Sequence, residues 1–117
     1  MPPSDSSSVE SVLVALDAGS SPAAAELRTA VRYLLGVLTS RAPGRSVEVR
    51  VPPVAAVQCV PGPRHTRGTP PNTVEMDPST FVLLAVGRLG WSDAVAAGSI
   101  RASGPRADLS PYLPLTV

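Results

Sequence analysis

The chain has 117 residues, 44% of them hydrophobic, and ten basic against nine acidic groups give a net charge of +1. That length holds one domain with a modest core. The near-neutral charge, without any basic run, excludes the bulk electrostatics of a nucleic-acid or membrane-surface binder. One Cys excludes an internal disulfide, and no apolar run approaches the roughly 18 residues of a membrane span. A soluble, cytoplasmic protein is the expectation.

Residues 1–20 read as a Pro/Ser tail followed by a short amphipathic helix. Val9, Val12, Leu13 and Leu16 fall at helical spacing up to about Asp17. That helix either packs on the domain, the favoured reading, or docks on a partner. Residues 21–117 form the domain proper. Ser21-Pro22 opens the clearest helix, in which Leu27, Ala30, Val31, Leu34, Leu35 and Leu38 form one apolar stripe that ends near Arg41, before Ala42-Pro43-Gly44.

From Arg45 to Val51 the chain alternates: Val47, Val49 and Val51 point one way, Ser46, Glu48 and Arg50 the other, as in a half-buried strand. Pro52-Pro53 breaks it. A second strand covers Val54 to Val60, with Val57 and Cys59 on one face, and the two make a natural antiparallel pair. Pro61 to Pro71 is a loop without apolar periodicity, and Asn72 to Met76 is a short third strand.

Asp77-Pro78 suits an N-cap and first helical position. Phe81, Leu84 and Ala85 follow at i, i+3 and i+4, and Gly87 suits the residue that ends a helix. A short helix with a cap near Ser92 carries Trp91, Ala94 and Val95 on one face and stops at Gly98. Ser99 to Ser103 alternates as a strand, and the end of the chain holds about one helical turn before a Pro-broken tail. Strands grouped rather than alternating with helices argue for an α+β fold with an antiparallel or mixed sheet.

The pattern resembles the sterol-carrier-protein fold family, and within it the small actinobacterial branch of bacterial orthologues. Asp77-Pro78, Leu83-Leu84, Gly87-Arg88, Trp91, Asp93-Ala94-Val95, Gly98, Ser103-Gly104 and Arg106-Ala107-Asp108-Leu109 carry the likeness. Ser46 to Arg50 and the Arg67-Gly68-Thr69-Pro70-Pro71-Asn72 loop add to it. The resemblance implies about five strands covered on one side by helices, with an apolar tunnel in carrier members that bind fatty acids, acyl-CoA or sterols without chemistry. The same fold serves as an accessory domain in mycothiol-dependent enzymes. Pro111 and Pro114 stand where carrier members often place a closing C-terminal helix.

The leading expectation is therefore a non-catalytic binding module for an apolar or amphipathic ligand such as a lipid or acyl chain. Its cavity wall would draw on Leu34, Leu38, Val49, Val57, Phe81, Leu84 and Trp91, and Arg64, His65 and Arg67 would hold an anionic head. The alternative is an interaction or accessory domain that pairs with itself as a homodimer or with a partner enzyme. Neither a cofactor nor a metal is expected, since zinc wants three or four ligands and the chain offers one Cys and one His. Cys59 reads as a buried, inert thiol and Asp77 as a cap rather than half of an acid/base dyad with Glu75. Arg88 and Arg106 are expected to pair with Asp93 and Asp108. No P-loop, GxGxxG or Ser/His/Asp motif occurs, and aromatic content of 3% disfavours a base-stacking RNA-binding sheet.

Overall fold

The computed structural model describes residues 5–62 and 72–115. Among the described residues, four helices, four strands and a 3₁₀ turn follow in the order α1 (Asp5–Asp17), α2 (Ala24–Arg41), β1 (Val47–Val51), β2 (Ala55–Cys59), β3 (Asn72–Met76), α3 (Pro78–Ala85), α4 (Trp91–Ala96), β4 (Ile100–Ser103) and the turn Ser110–Tyr112. The strands form one mixed sheet in the order β2-β1-β3-β4. β1 runs antiparallel to β2 and parallel to β3, and β3 runs antiparallel to β4. This is the expected α+β class.

The strand count is corrected: four strands, not about five, form the sheet among the described residues. The C-terminal segment cannot supply a fifth. Proline removes ladder donors, and the Leu115 N–H donates to the Ala85 carbonyl at the end of α3 (2.7 Å) rather than to a strand edge.

Strand alternation sorts the sheet into two unlike faces. Val47, Val49, Val51, Cys59, Val74 and Met76 are buried, in one core with Val31, Leu34, Leu35 and Leu38 of α2 and Phe81, Val82 and Leu84 of α3. On the opposite face Ala56, Arg50, Glu75 and Arg101 lie in one cross-strand row, beside a row of Gln58, Glu48, Thr73 and Ser103. α1 packs on α2, with Val9 and Val12 buried.

Local signals act where they are expected, with two corrections. α3 ends with Gly87 at φ +82°, where the Arg88 N–H reaches the Leu83 carbonyl (2.9 Å) and the Gly87 N–H the Leu84 carbonyl (3.1 Å), which are the paired bonds of a glycine C-cap. Asp77 does precede Pro78 as N-cap residue, but its carboxylate caps no backbone N–H and accepts the Thr80 hydroxyl instead. α4 starts at Trp91 behind Gly90 rather than near Ser92, and only Ala94 is buried; Val95 is 43% exposed.

One corner is tightly specified. Val60, a β-branched residue, adopts φ +71°, a conformation that costs on the order of 1–3 kcal/mol. Three bonds hold it: its N–H to the Ala42 carbonyl (2.6 Å), and its carbonyl from the Ser46 N–H (3.2 Å) and Ser46 Oγ (2.8 Å). Gly44 lies so close that a Cβ there would stand 2.1 Å from the Val60 oxygen. Buried Asn72 completes the corner, donating from Nδ2 to the Ser46 carbonyl and accepting the Arg106 N–H, both at 2.8 Å.

Candidate functional site

The α1–α2 seam does not close completely. A groove of about 570 Å³ lies there, lined by Ser6, Val9, Glu10 and Leu13 of α1, by Tyr33, Leu34, Val37 and Arg41 of α2, and by Val86, Arg88 and Leu115. The α1 residues fall at i, i+3, i+4 and i+7, one helical face. Those of α2 form a stripe beside the one that packs on the core.

The lining is apolar at depth and charged at the rim. Val9, Leu34 and Leu115 are buried, Leu13, Tyr33, Val37 and Val86 are half-buried, and Glu10, Arg41 and Arg88 are exposed. Two polar ties frame it. Arg41 Nη1 donates to the Pro114 carbonyl (3.1 Å) and pins the C-terminal segment. Arg88 forms an ion pair with both carboxylate oxygens of Asp17, the last residue of α1. This corrects the expected Arg88–Asp93 pair; Arg106 instead lays its guanidinium beside Gly62 and Ser46.

The residues predicted to wall a cavity mostly form the packed interior. Leu38, Val49, Phe81 and Leu84 are 0–2% exposed members of the core and line no part of the groove. Val57 is half-buried on β2, Trp91 half-buried against the core at the start of α4, and Leu34 alone of the set borders the groove. Arg64, His65 and Arg67 lie outside the described residues.

Ser6, Glu10, Tyr33, Val37, Val86 and Leu115 are groove residues that the sequence did not single out, while Arg41 was read only as a helix end and Arg88 as a partner of Asp93. A signal existed for two of them: Tyr33 and Val37 widen the apolar surface of α2 beyond one stripe. Leu115 had none, because its position depends on the return of the tail.

Other reactive groups are quiet. Cys59 is fully buried, and burial pushes its thiol up to about 11, so the thiolate required for nucleophilic attack is scarce at neutral pH. Glu75 sits on the open sheet face in register with Arg50 and Arg101, and Asp77 is engaged by Thr80. No helix among the described residues is long and apolar enough to cross a membrane.

The family model described as bacterial SCP ortholog matches residues 23–115, from just before α2 to the buried Leu115. The chain belongs to the bacterial SCP-ortholog family. The likeness, carried by residues between Ser46 and Leu109 and expected to cover about Ser21 to Leu115, holds over nearly that span, which takes in β1 to β4 and α2 to α4, while α1 precedes the matched residues. No curated protein matches the chain.

Proposed function

We propose that this SCP-ortholog domain is a non-catalytic binding module for a small amphipathic ligand, an acyl chain with an anionic head, seated between α1, α2 and the C-terminal segment. One observation carries the reading: a half-open hollow of about 570 Å³ whose floor is Val9, Leu34 and Leu115 and whose rim holds Arg41 and Arg88. That volume falls among those of small-molecule sites, which pair an apolar lining with a few placed polar groups. Burying about eight methylenes would contribute ~6 kcal/mol. Association and ordering oppose it by several kcal/mol, so binding is weak and exchangeable, as a carrier requires.

Arg41 is the natural head-group partner. Its guanidinium has donors beyond the one given to the Pro114 carbonyl, and guanidinium forks suit carboxylate and phosphate. Arg88 already shares its charge with Asp17.

Native mass spectrometry of protein purified from its own host, followed by organic extraction, tests the reading. A co-purifying amphiphile, depleted in Arg41→Ala and in Val37→Trp, supports it. A bare mass, together with no uptake of added dodecanoate, overturns it.

A further inference from the structure

The two edges of the sheet differ in how they are protected. Exposed strand edges offer unpaired N–H and C=O groups, and proteins guard them with charges, prolines or covering segments. β4 carries Arg101, an exposed charge on a four-residue strand. β2 reads Ala55-Ala56-Val57-Gln58-Cys59, with no charge and no proline.

Hydrogen bonding shows which groups of β2 are left unpaired among the described residues. The Ser46 N–H donates to the Val60 carbonyl, which fixes the phase of the antiparallel ladder. With Val47 opposite Cys59, the pairs Glu48–Gln58 and Arg50–Ala56 exchange bonds. The alternate residues, Ala55 and Val57, turn N–H and C=O away from β1. Cys59, fully buried, has its end of the edge closed where the Val60 N–H meets the Ala42 carbonyl. The usable edge is therefore Ala55 to Gln58.

We propose that this edge is a self-association surface, on which a second copy of the chain pairs its own β2 antiparallel about a two-fold axis at Ala56. In that register Ala55 and Val57 exchange main-chain bonds with Val57 and Ala55 of the second copy. The two Ala56 side chains meet as a close non-hydrogen-bonded pair. Every opposed pair is uncharged, so no like charges face each other. Gln58 of the second copy falls opposite Val54, where a shallow depression of about 310 Å³ is bordered by Arg50, Val54 and Ala56. An amide carbonyl there can accept from Arg50. β4 fits less well: pairing about Arg101 would oppose two guanidiniums, and pairing about Ala102 would offer each Arg101 only the neutral hydroxyl of Ser103, with no carboxylate from the second strand. A second copy, not a foreign strand, is the occupant because the edge is complementary to itself.

Light scattering over a concentration series tests this on the whole chain. The native chain dimerises as concentration rises. Ala56→Lys, at an exposed position, stays monomeric and melts like the native chain at concentrations too low for dimerisation, and Arg101→Ala dimerises like the native chain. Ala56→Cys crosslinks to a covalent dimer under mild oxidation, because Cβ atoms of such a pair lie within disulfide reach and Cys59 is buried. A native chain that stays monomeric throughout overturns the proposal. So does an Ala56→Lys dimer, or an Ala56→Cys protein that does not crosslink. Dimerisation lost in Arg101→Ala would move the interface to the other edge and overturn it equally.

Discussion

The two sides of α2 are made of the same kinds of residue and end in different states. Toward the sheet, Ala30, Val31, Leu34, Leu35 and Leu38 are 0–2% exposed, locked between strand residues such as Val49 and the aromatic ring of Phe81. Toward α1, Tyr33 and Val37 are only half-buried along a groove. A continuous sheet presents many partners to one helix face, whereas a single 13-residue helix lying alongside covers a strip and leaves a gap. Spacing of apolar residues thus tells that a face will be buried. How completely depends on what arrives from elsewhere in the chain.

Substitution separates the two sides most sharply. Phe81→Ala in the interior should cost about 3–5 kcal/mol, because the transfer term and the cavity it leaves add. Val37→Ala on the groove, where the side chain is already partly wet, should cost about 1 kcal/mol or less. Urea unfolding measures both. Equal losses would mean that the groove is as tightly packed as the core and would erase the distinction.

The corner that anchors the sheet side should be nearly as sensitive. Gly44→Ala places a methyl 2.1 Å from the Val60 oxygen and forces a left-handed backbone on alanine, at about 2–3 kcal/mol. A melting temperature within a degree of native would show that the Ala42–Ser46 loop moves freely and that Val60 is not held by it.

Much of this side was legible in the sequence, because its signals are local. The alternation of Val47, Val49 and Val51 gave β1, Asn72–Met76 came out with its observed bounds, and Gly87 ended α3 as its left-handed tolerance suggests. The groove was less legible. Leu13 and Leu34 were seen as stripe residues, but the floor also needs Leu115, delivered by the Pro114 segment and its bond to Ala85. The Arg88–Asp17 pair spans most of the chain, and a nearby Asp93 misdirected the reading. The tunnel expected within the core came from family resemblance, and the residues assigned to its wall are mostly those that pack the interior.

A pH titration sharpens the contrast on the sheet side. The Cys59 thiol is raised to about 11 from an ordinary 9.0 by desolvation. Above pH 9 the unfolded chain releases this proton while the folded chain keeps it, so stability falls as pH rises from about 9 toward 11. Cys59→Ala should flatten that part of the profile. An unchanged slope would mean that the thiol is reachable by water. The smallest effect belongs to the α1 side: Asp17→Asn breaks an exposed ion pair and should change stability by only about 0.5 kcal/mol or less. A larger loss would show that α1 is held by its charge rather than by Val9 and Val12.

The most direct test of the groove is a methyl-resolved NMR titration with dodecanoate. The account predicts progressive, saturable shifts at Val9, Leu13, Val37 and Leu115, with Leu38, Val49 and Val74 unmoved. Shifts centred on Leu38, Val49 and Val74, with Val9 and Val37 silent, would place the ligand inside the sheet-side core and contradict it.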